Sequence, residues 1–303
     1  MNGFISIIKP PGMTSNDVIK IVKKKIKKIK IGHTGTLDWG AAGVLPLALG
    51  KATKASSYVM ECKKKYRGEI TLGITTDTLD GEGQIISTSK VRDLDLEEKA
   101  VEKVLASLTG ELYQTPPLYS AKKFQGERGY RLAREGKTAS PAPQKITIYH
   151  LELVEILGKE PPKLLIDVEC SQGTYIRSLA YQIGKLLGCD AYLSFLLREA
   201  VGGFNLHNSV TLEEFTEGII EQEYLYPIDY PLAGFPLITL SNRAVRYIKH
   251  GNWLSPYQVE CCGAISEKDL YRLYDPEGNF LALGKWVSKY NQTWLKPEKL
   301  FIS

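Results

Sequence analysis

Apolar positions along the 303-residue chain fall into short runs whose period shifts between two and about 3.6, which predicts strands and helices in irregular alternation. Gly3 to Ile8 is an apolar run that stops at Lys9-Pro10-Pro11-Gly12, because proline and glycine cannot continue a ladder; it reads as a strand entering a turn. Thr14 or Ser15 then offers an N-cap. From Asn16 to Ile29, Val18, Ile21, Val22, Ile26 and Ile29 recur at helical spacing while Lys20, Lys23, Lys24, Lys27 and Lys28 fill the other face, predicting a basic amphipathic helix. Tyr66–Ile74 alternates like a strand, Thr75–Gly83 is turn-rich, and Leu94–Leu108 has helical spacing with acids near its start. Ile146–Ile156 and Leu164–Cys170 read as strands, and Tyr175–Leu187 as a helix with Ile176, Leu179, Ala180, Ile183 and Leu187 on one face.

This alternation favours a mixed α/β domain over a doubly wound one. Near Tyr226–Pro236, Pro227, Pro231, Gly234 and Pro236 interrupt the pattern and mark the best linker. Beyond it, short apolar segments separated by turn signals such as Asp275-Pro276-Glu277-Gly278-Asn279 suggest a compact, mainly β module. The expected domains are 1–230 and 235–303.

Composition is that of a globular chain, 43% hydrophobic and 24% charged, with no run approaching the roughly 20 apolar residues of a membrane span. The N-terminus lacks a basic leader and a cleavage site, so a cytoplasmic protein is expected, with monomer as the prior. Cys62, Cys170, Cys189, Cys261 and Cys262 form no CxxC pair, and the four histidines are scattered, so no metal site is expected. The net charge of +5 is unevenly spread: residues 1–68 carry 14 basic against 3 acidic side chains, and the rest of the chain 25 against 31. A concentrated positive surface attracts polyanions, nucleic acid above all, although a solvated lysine face has the same composition.

The densest unusual segment is Gly32–Lys54, GHTGTLDWGAAGVLPLALGKATK. Gly32, Gly35, Gly40 and Gly43 permit close approach or positive φ, and one carboxylate, Asp38, lies among them. Such an acid is often only a turn former, so a second group is needed to make it chemical. Arg177, at a strand–turn–helix boundary in CSQGTYIR, is that candidate, since a guanidinium stays charged when partly buried and can grip a carboxylate bidentately. Aromatics mixed with bases, Lys63-Lys64-Lys65-Tyr66-Arg67 and Tyr119 through Arg131, fit recognition of extruded nucleobases without identifying a reaction.

KPPGMTS (9–15), GHTGTLD followed by GVLPL and GKATK, LGITTDTLDGEG (72–83), QTPPLYSAKKFQGERGYRLAREGK (114–137) and CSQGTYIRSLAYQIGKLLGC (170–189) follow one another in an order that resembles the TruB-type pseudouridine synthases, over nearly the whole chain. The resemblance implies an α+β, or mixed α/β, catalytic domain with a mixed, largely antiparallel sheet, followed by a small PUA-like RNA-binding domain. It implies isomerisation of the T-loop uridine of tRNA, position 55, to pseudouridine after base flipping, without a cofactor. Asp38 would be the nucleophile and Arg177 its salt-bridge partner, with Tyr66 stacking on the target base. His33 would support the rearranged loop nucleotides, Tyr175 and Leu196 would line the uracil pocket, and Lys9 would be a supporting residue. The RNA-binding face would include Lys23, Lys24, Lys27 and Lys28, and the PUA-like domain would reach the acceptor end of tRNA. The chain departs from the family pattern at Trp39, usually proline, at Tyr192, often histidine, and at Leu197 and Gln144, often arginine. Two alternatives remain open at this point: a guide-RNA-dependent subunit, and a non-catalytic tRNA chaperone of the same fold.

Overall fold

The computed structural model describes residues 1–91, 96–117, 119, 123–124, 127–128, 142–158, 160–218, 224–259, 266–289 and 292–302, with 123–124 and 127–128 as backbone only. Most of the 114–137 motif, including Tyr130 and Arg131, lies outside these residues, as do Cys261, Cys262 and the expected helix start at Leu94.

In chain order the first half comprises β1 (Gly3–Lys9), α1 (Ser15–Lys25), β2 (Ile31–His33), β3 (Ala42–Leu49), α2 (Ser56–Glu61), β4 (Lys64–Leu72), β5 (Ile74–Thr76), β6 (Ile85–Thr88), α3 (Glu98–Ser107) and β7 (Gly110–Gln114). Then come β8 (Lys123–Phe124), β9 (Glu127–Arg128), β10 (Gln144–Leu157), β11 (Lys163–Cys170), α4 (Ile176–Leu186), β12 (Ala191–Val201), β13 (Phe204–Asn205), β14 (Val210–Thr211) and α5 (Leu212–Glu217). The last segment holds β15 (Leu237–Thr239), α6 (Asn242–Lys249), β16 (Leu270–Tyr274), β17 (Phe280–Lys289) and β18 (Gln292–Leu300).

A ten-stranded sheet runs β14-β1-β3-β12-β4-β11-β10-β7, with β2 on β3 and β13 on β12. Only β1–β14 and β3–β12 are parallel in it, so the mixed, largely antiparallel sheet is as expected. The unbroken apolar runs of β1 and β3 are explained by burial on both faces. Odd positions Ile5, Ile7, Leu45, Leu47 and Leu49 enter the main core with the helices, whereas even positions Phe4, Val44 and Ala48 enter a second cluster with Phe204, Leu232, Leu283 and Phe301. The C-terminal sheet, β15-β16-β17-β18, has its own core around Ile248, Leu273, Trp286 and Leu295.

Three expectations change in detail. The basic helix is capped by Thr14, whose hydroxyl accepts from Asp17 N, but it ends at Lys25, four residues early. Lys28 has φ +65°, and Ile26 and Ile29 keep their helical spacing because they pack on the core from the turn that leads into β2. The strand expected over Tyr66–Ile74 is split at Gly73, whose φ of +85° turns the chain into the β5–β6 hairpin. The proline-rich stretch from Tyr226 is docked rather than free. Tyr226 exchanges two backbone hydrogen bonds of 2.8 Å with Phe4, and Tyr230 packs 5.0 Å from Phe204. Among the described residues no helix is long and apolar enough to cross a membrane.

Candidate active site

The segment carrying Asp38 joins β2 to β3, which pair antiparallel from Ile31↔Leu49 to His33↔Leu47, so residues 34–41 leave the sheet as a wide loop. A loop with no ladder of its own must have its polar groups met from outside. Thr34 donates from N and Oγ1 to Pro46 O, at 3.1 and 3.0 Å. The buried Ser15 hydroxyl accepts from Leu37 N at 3.0 Å and donates to Leu37 O at 3.3 Å, while the Leu37 side chain anchors the loop in the core. Lys9 Nζ donates to Pro10 O, Met13 O and Trp39 O, and Gly12 N also donates to Trp39 O. Of the four glycines invoked from sequence, Gly35 and Gly43 adopt positive φ; a Cβ on Gly43 would lie 2.2 Å from Arg198 O, where β3 runs against β12.

Arg177 sits in the first turn of α4, just after the Ser171–Tyr175 turn that follows β11. Gln114, at the end of β7, holds that turn by bonding both N and O of Tyr175, and Gln144 Nε2 donates to Gly173 O. Arg177 is 5% exposed, and its Nε lies 2.9 Å from Asp38 Oδ2. That N–H is not aligned with the oxygen, so the contact is an ion pair rather than a well-formed hydrogen bond. The bidentate grip considered from sequence does not form. Instead the fork is divided: Nη1 meets Asp80 Oδ2 at 3.1 Å and donates to Thr78 O, and Nη2 donates to Tyr119 O. The Asp38 side chain is 47% exposed, so one oxygen faces a buried cation while the group as a whole stays open to a ligand.

The structure brings Asp38, Tyr66, Tyr175, Arg177 and Leu196 to the wall of one cavity of about 560 Å³, a size typical of small-molecule sites. Asp38, Arg177 and Leu196 also line a smaller space on the side of Asp80 and Phe195. Tyr66 is 8% exposed, and burial pushes its phenol up to about 12, with Arg198 pulling the other way. The hydroxyl is therefore protonated near neutral pH, able to donate or to pack but not to act as a phenolate base. His33 lines neither cavity; burial and the nearby Arg198 charge lower its pKa, and Nδ1 accepts weakly from Gly35 N at 3.4 Å. Lys23, Lys24, Lys27 and Lys28 are exposed and away from the cavity, the last two beyond the end of α1.

Lys9 has no exposed surface and acts on the loop from beneath. Desolvation lowers its pKa from 10.5 to about 8, against the attraction of Asp38. Between those values the unfolded chain holds a proton that the folded chain has released, so stability rises with pH; below about 8 both states are protonated and the burial penalty is present in full. We expect wild type to gain about 3 kcal/mol relative to Lys9→Met as pH rises through that window, measured by urea unfolding at several pH values. A pH-independent difference refutes this.

Sequence reasoning missed three groups. Arg198, 2% exposed, donates to Val44 O, Thr36 O and Gly35 O and faces Tyr66 across the β12–β4 register. Its inward placement follows from the alternation Leu196, Arg198 in β12, a signal present in the sequence. Asp80 shares Arg177, and its Oδ1 is fixed by the Thr78 hydroxyl and Glu82 N, an Asx-type turn legible in TTDTLDG. Lys64, 7% exposed, lines the same cavity with its ammonium on Met60 O and Cys62 O.

Residues 23–176 match the family model described as TruB family pseudouridylate synthase (N terminal domain). The chain is 42% identical to the tRNA pseudouridine synthase B of Clostridioides difficile, with 100% of both chains covered. It is 41% identical to that of Caldanaerobacter subterraneus subsp. tengcongensis, covering 99% of each. Among solved structures it is similar to a chain of a Cbf5-Nop10-Gar1 complex, at 27% identity and a TM-score of 0.75 over 99% of this chain and 85% of that one. A chain of an H/ACA RNP bound to a substrate RNA containing 2'-deoxyuridine gives 26% identity and a TM-score of 0.74, with the same coverage.

Proposed function

Because the chain belongs to the TruB family of pseudouridylate synthases and isomerises uridine in tRNA to pseudouridine, we propose that Asp38 is the carboxylate that performs the reaction, on the T-loop uridine at position 55. The observation that carries this reading is the half-exposed Asp38 at the wall of the large cavity, charge-paired at 2.9 Å with an almost fully buried arginine.

The isomerisation breaks the N1–C1′ bond, turns the freed uracil and closes a C5–C1′ bond, after which the C5 proton leaves. No electrons are exchanged and no group enters from outside, so the residues of the site suffice without a cofactor. A carboxylate serves such a reaction by covalent attack or by taking a ribose proton, and both need it ionised and within reach of the sugar. Arg177 holds that charge. Tyr66 stacks on the base, and Tyr175 and Leu196 close the pocket so that the detached uracil is retained while it turns. His33 supports the loop nucleotides displaced by flipping, and Lys9 fixes the Asp38 loop from below.

The C-terminal sheet, the PUA-like module of this reading, extends the RNA footprint to the acceptor stem. The exposed lysines around α1 attract the phosphate backbone. Replacing Lys23, Lys24, Lys27 and Lys28 with Ala should weaken tRNA binding and flatten the slope of log K against log salt by up to about 3, since each neutralised phosphate releases counterions. An unchanged slope would reduce those lysines to a solvated face.

The guide-dependent reading is supported by the likeness to ribonucleoprotein subunits, but identity with them is 26–27%, against 41–42% over full length with the tRNA synthases. The testing experiment is to map pseudouridine in an unmodified tRNA transcript treated with the purified protein alone. Product confined to the T-loop uridine supports the proposal. No product without a guide RNA removes the stand-alone reading, and product elsewhere removes the site.

A further inference from the structure

We propose that Trp39 is a base-stacking platform that holds a nucleotide flanking the uridine that enters the cavity; the inference rests on the reading of Asp38 as the reacting carboxylate. Trp39 follows Asp38 directly and the residue is 49% exposed, which leaves a large aromatic side chain open to solvent next to the carboxylate. It lines neither cavity. Its Cζ2 edge faces the Gly12 turn, 3.9 Å from where a Cβ on Gly12 would stand, and among the described residues no ring or cation stacks on it.

The backbone that carries the exposed ring is nonetheless held in place. Its own carbonyl accepts from Lys9 Nζ at 3.3 Å and from Gly12 N at 3.0 Å, and Lys9 is wholly buried. The next turn is closed by Ala41 N donating to Asp38 O at 3.2 Å. An aromatic face carried on a fixed backbone beside the reacting carboxylate, open to solvent and, among the described residues, unmatched by another ring or cation, suits a flat, uncharged partner that arrives with the substrate. In RNA that partner is a base, and a base drawn out of its stack when its neighbour flips regains on Trp39 the stacking it has lost. A tryptophan offers the largest such face and tolerates any base, so it adds affinity without demanding a sequence.

The test compares wild type, Trp39→Ala, Trp39→Phe and Trp39→Leu in tRNA binding, steady-state kinetics and thermal melting. Base stacking of about 1–3 kcal/mol by alanine substitution corresponds to a rise in Kd of roughly 5- to 150-fold for Trp39→Ala. KM rises with Kd, Trp39→Phe restores most of the affinity, and Trp39→Leu does not. In wild type, tRNA quenches tryptophan emission, and Trp39→Phe loses a large share of that quenching. Affinity for tRNA within twofold of wild type in Trp39→Ala overturns the proposal, as does rescue by Trp39→Leu, which would make the side chain an apolar cover for the Gly12 turn. Should Trp39→Ala fail to fold, the emission change and the Phe–Leu comparison still decide. Failure of wild type to form pseudouridine sinks the catalytic reading instead, and the binding comparison keeps the two failures apart.

Discussion

Asp38→Asn should abolish pseudouridine formation, with a fall of about 10⁴-fold or more, the scale on which loss of a reacting group acts, while tRNA affinity stays within about threefold. The substitution keeps the size of the side chain and the backbone contacts of the loop, which run through Gly35 O, Thr36 O, Leu37 and Trp39 O rather than through the carboxylate. It removes the negative charge and the nucleophilic oxygen together. Arg177 keeps Asp80 as a partner, so the fold is spared. In the proposed reading binding rests on exposed cations, which the change does not touch. Single-turnover product formation set beside filter binding checks both halves. Undiminished turnover would remove Asp38 from the chemistry, and a parallel loss of affinity would make it a binding residue.

For Arg177 the informative pair is Arg177→Lys and Arg177→Met. The guanidinium serves Asp38, Asp80, Thr78 O and Tyr119 O at once, on three separate segments of the chain. Lysine keeps the charge but cannot span four acceptors, so its rate should fall by about 10²–10³-fold, comparable to loss of one preorganised electrostatic group, with modest loss of stability. Methionine leaves Asp80 uncompensated. Because Asp38 is half exposed, the stability cost should lie toward the lower end of the about 3–5 kcal/mol seen for a broken buried pair. Urea unfolding and single-turnover rates separate the two effects. A lysine variant with wild-type rate would mean that charge alone is required.

Which parts of the fold could be read in advance follows from the range of the forces involved. β1, β10 and β11 were legible because their strand patterns are local signals, and the N-cap at Thr14 because capping is local too; β3 was not, its apolar run lying in the same glycine-rich stretch as the Asp38 loop. The early end of α1 was not, since Ile26 and Ile29 remain on the core from a non-helical turn and so keep a helical spacing. Insertion of β12 between β3 and β4 joins segments more than 100 residues apart, and no local pattern announces it. The site divides in the same way. Asp38 drew attention through its glycine-rich setting, and Arg177 through its strand–turn–helix boundary. The division of one guanidinium between two acids, and the facing of Arg198 and Tyr66 across β12 and β4, exist only once the sheet is assembled. The weak contact of His33 Nδ1 with Gly35 N of its own loop is likewise visible only in the folded chain.

The parity of β1 and β3 bears on how this protein can be minimised. Their even-numbered side chains Phe4, Val44 and Ala48, together with Phe204, meet Leu283 and Phe301 of the C-terminal segment. A fragment cut before that segment would bare a continuous greasy strip along the back of the very strand that follows the Asp38 loop, an invitation to self-association. Anyone seeking a shortened catalyst has therefore to repaint alternate residues of two adjacent strands with polar groups, leaving every odd position untouched.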